Sequence, residues 1–351
     1  MSAVPARKNS SAAPARKNSS AAPARKNSSA APARKNSSAV PARKNSHAVP
    51  ARKNSSAAPA RKTPHARVTP APPPLEALER HRDHHFRRVP HRRISGERAA
   101  LGFIEEVGFC AAFTAGIGVP CLREAIEGMR EPPLPEHIQH DRAIMMTWNI
   151  KDTLPAKKLV YYGKVLGGRP GFIARDLLAA FLRLRAESRG YRALYERGML
   201  SQCAKLVMDA LARRGAAETK ALKLGAGYAQ PRMRGEFDRA MKELQEKFLA
   251  LKVEERYDPF TYVWDTMEHR WSEALREARR LTRSEAAYRV VRRYFEIAGF
   301  GHERAVARLL AIDPALVDGA ARRLERERQL RRALRVEGLI GEHSILANLT
   351  A

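Results

Sequence analysis

The sequence is short of cysteine, of acids and of long apolar runs. Three cysteines, Cys110, Cys121 and Cys203, in 351 residues are too few and too scattered for a disulfide framework or a thiolate zinc site. They suit a reducing, cytoplasmic setting. No run of about 18 apolar residues occurs, so no helix is expected to cross a membrane. The N-terminal segment holds no apolar core, which argues against a secretory signal. There is no Gly-rich phosphate loop, no Ser/His/Asp constellation and no Cys/His zinc pattern, so neither cofactor nor metal is expected. Acids number 37 against 65 Lys+Arg, a net charge of +28. That excess argues against a neutral metabolic enzyme and favours an anionic partner, nucleic acid foremost.

The charge is unevenly placed. Residues 1–97 hold 21 Lys+Arg against four acids, Glu76, Glu79, Asp83 and Glu97. Residues 3–62 repeat a nine-residue unit, A-[AV]-P-A-R-K-N-S-[SH], with prolines from Pro5 to Pro59. Proline at that period breaks any long helix. No unit offers an apolar side chain larger than valine, so the segment cannot offset its ordering entropy and should be disordered. One reading is a basic arm that neutralises phosphates without reading sequence. The other is a tandem duplication or an upstream start carried into the protein. The prolines also disfavour the amphipathic helix of an organelle transit peptide. Residues 63–94 continue as a Pro/His/Arg-rich linker. His81, His84 and His85 lie within it and are read as solvated rather than as metal ligands.

Folded sequence is expected from residue 95. Ser95 is a candidate N-cap for a helix carrying Ala100, Phe103, Ile104 and Val107, with Gly108 as its stop. A second helix is expected near 120–130 and an irregular, Pro-rich connection over 131–147. The His137-x-x-His140-Asp141 pattern there is read as surface. Aromatic and basic residues then alternate: Trp148, Lys151, Lys157, Lys158, Tyr161, Tyr162 and Lys164. Basic groups hold phosphates while aromatic faces stack on bases, so these are candidate DNA contacts. Tyrosines packed inward beside solvated lysines fit the same spacing.

Residues 201–265 read as helix, helix, helix and hairpin. Thr219 is a candidate cap for the second helix. Phe237, Met241, Leu244 and Phe248 stripe the third, and a turn at Tyr257-Asp258-Pro259 closes the hairpin. That order is the winged-helix version of helix-turn-helix. Arg232, Arg234, Arg239 and Lys242 fall on or before the outer face of the third helix, and Arg256 on the wing. The pattern recurs later, with Ser284 as cap and Asp313-Pro314 opening a third helix. Arg322 and Arg326 belong to an arginine run there that is either a phosphate stripe or an exposed helix edge. The expected fold is mainly α with short β-hairpins: tandem winged-helix domains over 95–200, 201–271 and 282–345, behind a disordered basic tail.

Three segments carry a resemblance: Glu105–Cys110, Trp148–Lys164 and Phe237–Gln245. They resemble winged-helix proteins related to the crosslink-repair DNA glycosylases, over about residues 98–340. The resemblance implies tandem winged helices around duplex DNA. In that family a purine alkylated at a ring nitrogen is excised by hydrolysis of its N-glycosidic bond, and a Gln-x-Gln or Gln-x-Asp motif positions the water. The five glutamines, Gln139, Gln202, Gln230, Gln245 and Gln329, are read as lying outside such a motif. Asp152 is then the candidate carboxylate for the chemistry, although its place beside Lys151 also fits an ion pair. The expected function is a winged-helix DNA-binding protein in repair or nucleoid association, with duplex DNA as partner. The alternatives are a DNA glycosylase of alkylated purines and a non-enzymatic protein-interaction scaffold.

Overall fold

The computed structural model describes residues 74–186 and 190–350. The basic repeats of 1–62, with their expected disorder, lie outside these residues. In chain order the elements begin with α1 (Leu75–His85), α2 (Glu97–Val107), β1 (Phe109–Ala111), α3 (Leu122–Glu127) and α4 (Arg142–Ala156). Next come β2 (Val160–Leu166), β3 (Arg169–Ala174), α5 (Arg175–Arg185), α6 (Tyr191–Glu196) and α7 (Gln202–Arg214). Then follow β4 (Ala217–Glu218), α8 (Thr219–Gly225), α9 (Arg234–Glu246), β5 (Ala250–Tyr257) and β6 (Phe260–Thr266). The last part holds α10 (Met267–Arg270), α11 (Ser272–Arg280), α12 (Arg283–Ala298), β7 (Phe300–Gly301), α13 (Glu303–Leu310), α14 (Pro314–Arg326), β8 (Leu330–Arg335) and β9 (Glu342–Leu346). The protein is mainly helical with small antiparallel sheets.

One order of elements occurs three times: helix, short strand, helix, helix, then a two-stranded hairpin. Each sheet has three strands, and in each the last strand sits in the middle: β1-β3-β2, β4-β6-β5 and β7-β9-β8. Helices α2 and α12 both end at a glycine that turns the chain straight into the short strand. Gly108 has φ +80, and a Cβ there would lie 2.5 Å from Leu177 Cδ1. Gly299 has φ +75, and a Cβ would lie 2.7 Å from His81 Cδ2. Only glycine fits both the left-handed turn and the close approach.

The apolar stripes decide the packing. Helices α5, α11 and α12 join the first and third repeats in one core that contains Phe103, Phe172, Phe181, Val291 and Phe295. The middle repeat has its own core around Val207, Leu211, Phe237, Met241 and Leu244. It also contributes Phe248, Leu251 and Met267 to the larger core.

Several expectations are corrected. Residues 75–94 are not a linker. Leu75, Leu78 and Arg82 recur at i, i+3 and i+7, which puts one face of α1 on α12. Leu78, Phe86 and Ile94 are fully buried. The Arg82 guanidinium donates to the carbonyls of Ala298 and Phe300 at 3.0 and 2.9 Å and lies 3.6 Å from the Phe300 ring centre. Ser95 does not cap α2, whose N-cap is Gly96 with no side-chain bond. Thr282, not Ser284, caps α12. Thr219 is the first residue of α8 rather than its cap, and its hydroxyl donates to the Tyr262 carbonyl at 3.2 Å. The irregular connection ends early, because Asp141 caps α4 by accepting from the Ile144 N–H at 2.7 Å. Helices α10 and α11 occupy the segment expected to close the middle domain and link it to the next.

Candidate nucleic-acid cleft

Strand β2 sets one wall of a cleft by its two-residue period. Tyr161 points into the core, 1% exposed, its ring 5.3 Å from Phe248. Tyr162 points the other way, into a space of about 520 Å³ between this hairpin and the middle repeat. Helices α8 and α9 and strands β5 and β6 close the other side. Phe260 and Tyr262 supply aromatic surface beside Tyr162, while Phe237 and Trp264 lie behind it, almost fully buried. Lys164, Lys223, Arg234 and Lys252 supply positive charge. The aromatics of β6 meet edge to face in series, Phe260 with Tyr262 at 5.1 Å and Tyr262 with Trp264 at 5.8 Å between ring centres. Trp264 is pinned by its indole N–H, which donates to Thr219 Oγ1 at 3.0 Å. A nucleotide needs flat apolar surface for its base and cations for its phosphates, and both are present here.

Under the cleft lies an ion cluster that bridges two repeats. The Lys151 ammonium on α4 donates to Asp152 at 2.6 Å and pairs with Glu255 on β5 at 2.8 Å. Glu255 also pairs with Lys252. Tyr257 donates its hydroxyl to the other Asp152 oxygen at 2.5 Å. Two ammoniums and two carboxylates therefore compensate one another with little exposure. Lys252 lies 5.3 Å from the Tyr162 ring centre and 5.0 Å from that of Tyr262. Burial, helped by the neighbouring Lys151 charge, holds the Lys252 ammonium below its ordinary range, while Asp152 pulls the other way. Burial and the bond to Asp152 push the Tyr257 phenol up to about 12.

The residues singled out in the sequence scatter. Tyr162, Lys164 and Arg234 line the cleft. Tyr161 is core and has no face free for stacking. Lys151 is buried in the cluster rather than offered to a phosphate. Asp152 does not line the cleft, and its two oxygens are taken by Lys151 and Tyr257. Trp148 is exposed on α4. Lys157 is exposed and pairs with Glu97 at 2.6 Å; Lys158 is also exposed. Arg232 and Arg239 are exposed beside α9. Lys242 and Arg234 make loose pairs with Glu246 and Asp238, both at 3.7 Å. Arg256 is held by Glu218 at 2.5 Å and Glu254 at 3.0 Å. Arg322 pairs with Asp318 at 3.0 Å, and Arg326 is exposed.

The sequence reading missed Lys223, Lys252, Tyr262 and Trp264, which reach the cleft from three elements. It also missed that Gln139-His140-Asp141 has Gln-x-Asp spacing. Gln139 and His140 sit in a single exposed turn of 3-10 helix, Asp141 caps α4 through one carboxylate oxygen, and none of the three lines the cleft. Gln245 does line it. Its amide N–H donates to the Met241 carbonyl at 3.0 Å, which leaves the amide oxygen as acceptor. Among the described residues no group of three or more His, Cys, Asp or Glu could hold a metal. None of their helices is long and apolar enough to cross a membrane.

The three repeated units and the cation-and-aromatic cleft define a helical protein with small sheets and a surface suited to an anionic, ring-bearing ligand. The family described as AlkZ related matches residues 94–311, and the chain belongs to that family. Among solved structures the chain is similar to the Streptomyces sahachiroi DNA glycosylase AlkZ. The identity is 13% and the TM-score 0.49, over 78% of this chain and 70% of that one. No curated protein matches.

Proposed function

We propose that this protein acts in DNA repair as a glycosylase-type protein. It engages damaged duplex DNA and hydrolyses the N-glycosidic bond of an alkylated purine. Membership of the AlkZ-related family supports the class of activity. The observation that carries the reading is the cleft itself, where aromatic walls and a cationic rim converge from two repeats. A base removed from the stack is read by stacking, and its flanking phosphates by Lys or Arg.

The repeats are read as tandem winged helices, supported by the helix–strand–helix–helix–hairpin order and by the strand order in each sheet. Arg232, Arg239 and Lys242 on or beside α9 then face the duplex with Lys164, Lys223 and Arg234. The exposed hairpin tip, with Tyr257 and Phe260, lies at the mouth of the cleft. The setting is cytoplasmic, on the nucleoid.

An alkylated purine leaves as a neutral base from a cationic one, so the protein need not supply a strong acid. What remains is to orient water at C1′. The free oxygen of Gln245 is assigned that role in place of Asp152, whose oxygens are occupied. The test is incubation of the full chain with duplex DNA bearing an N7-alkylguanine, with abasic sites counted over time. Excision above spontaneous loss is expected, lowered about 100-fold in Gln245→Ala. No excision overturns the enzymatic reading for that lesion. Duplex binding without excision supports the second reading, a DNA-binding repair protein without chemistry. That reading is favoured by the occupied Asp152.

A further inference from the structure

We infer that Lys252 is the nucleophile of a second activity, cleavage of the DNA strand at an abasic site through a covalent imine. The inference rests on the cleft being a DNA site and goes beyond base removal. Its substrate class is an aldehyde, the ring-opened deoxyribose that remains when a base is lost.

The geometry carries it. Lys252 is one of four cations on the cleft, and it is set inside the cleft between the Tyr162 and Tyr262 rings. Lys164, Lys223 and Arg234 are placed to hold the phosphates on either side. Attack on an aldehyde needs a neutral amine and a base to take its proton. Glu255 touches Lys252 and is that base. The second ammonium on Glu255, from Lys151 at 2.8 Å, opposes a full positive charge on Lys252. Burial of the Lys252 amine among aromatic rings acts in the same direction. A lysine desolvated beside another cation is the usual arrangement for imine chemistry.

The steps balance without any oxidant or reductant. The lone pair of the Lys252 nitrogen adds to C1′ of the aldehyde, and its proton passes to Glu255. Glu255 returns that proton to the carbinolamine oxygen and a second proton comes from solvent, so water leaves, the protonated imine forms and Glu255 is a carboxylate again. Glu255 then removes a proton from C2′. The C3′–O bond then breaks, and the 3′ phosphate leaves with the electron pair. Water hydrolyses the imine, which frees the lysine and an unsaturated aldehyde.

The experiment uses the full chain, in excess over a duplex with one preformed abasic site, so it does not depend on excision of any damaged base. Sodium cyanoborohydride reduces the imine to a stable secondary amine that joins protein to DNA. The expected result is a trapped adduct that maps by mass spectrometry to the peptide holding Lys252, at least about tenfold weaker in Lys252→Arg, whose guanidinium forms no imine. Lysines of the N-terminal repeats set the background, and they are unchanged in the variant. Equal trapping in the variant, or a wild-type adduct mapped mainly to residues other than Lys252, overturns the assignment. The mapping needs no variant to fold. A duplex that is bound but not trapped overturns this inference and leaves the glycosylase reading standing. A duplex that is not bound overturns both.

Discussion

Replacing Arg88 by methionine tests whether the segment before α2 belongs to the folded body. Arg88 is 7% exposed and its partner Glu124, in α3, is 0% exposed. The guanidinium reaches one Glu124 oxygen through Nε at 3.0 Å and through a terminal nitrogen at 2.9 Å. The other oxygen accepts the Glu131 N–H at 2.8 Å. The guanidinium also lies 4.6 Å from the Phe86 ring centre. Methionine fills much of the space but leaves a buried carboxylate with a single backbone donor. The expected cost is about 3–5 kcal/mol, the range for removing one partner of a buried pair. With a urea m-value of about 3 kcal/mol/M, the midpoint falls by about 1–2 M. Adding Glu124→Leu removes the stranded charge, so the double variant should regain at least about 1 kcal/mol over the single one. Equilibrium urea unfolding followed by circular dichroism reads both. A single variant within about 1 kcal/mol of the parent, or a double variant no better than the single one, refutes the reasoning.

Four further outcomes follow from the same contacts. Burial holds His85 down to about 4 from its usual 6.5 and lowers His81 as well, so the fold disfavours the charged form of both. The unfolded chain therefore binds more protons between those values, and stability should fall as pH drops from 6.5 toward 4; thermal melts of His85→Gln should show a flatter dependence. Changing Lys164, Lys223 and Arg234 to glutamine should make the slope of log affinity against log salt shallower by about 2–3 for duplex DNA, and parallel slopes would take the phosphates away from the cleft. Phe260→Ala, which trims a side chain 58% exposed at the hairpin tip, should leave the urea midpoint unchanged and weaken binding to DNA with an extruded base by about 1–3 kcal/mol in a fluorescence anisotropy titration. The Tyr161 hydroxyl is buried without a partner, so Tyr161→Phe should keep or raise stability by up to about 1 kcal/mol without changing DNA affinity; weaker binding would return Tyr161 to the role of a stacking residue.

The fold was legible where a period met a stop signal. Phe237, Met241 and Leu244 repeat at helical spacing before a turn at Tyr257-Asp258-Pro259, and the structure has α9 and the β5–β6 hairpin there. Helix α1 was hidden because His and Arg dominate its composition, while only Leu75 and Leu78 mark its apolar face. The caps Ser95 and Ser284 failed for a simpler reason: a neighbouring Gly96 or Thr282 held the extended backbone that an N-cap needs. The site was less legible than the fold. Tyr161 and Tyr162 are adjacent and alike, and only the register of β2 sends one to the core and the other to the cleft. Lys252, Lys223 and Trp264 carry no local motif. They come together only when three elements converge, which is tertiary information that no window of sequence contains.

The position of the cleft has a thermodynamic consequence. Its walls come from the first repeat through Tyr162 and Lys164 and from the middle repeat through α8, α9 and β6. No single repeat holds a site. The first and third repeats share one apolar core, whereas the middle repeat keeps its own and docks through Phe248, Leu251 and Met267. Beside that docking surface the Lys151–Glu255–Lys252 cluster crosses between α4 and β5. A ligand in the cleft touches both sides of this seam, so it binds the docked state and not a separated one. Ligand binding must therefore stabilise the docking of the middle repeat, by an amount set by ligand concentration over its dissociation constant. Any loosening of the seam must in turn weaken binding by the same free energy. A cluster of two lysines and two carboxylates is an expensive way to join two repeats, since well-packed apolar residues would do so at lower desolvation cost. Its place at the floor of the cleft is understood if the charges act on what the cleft holds.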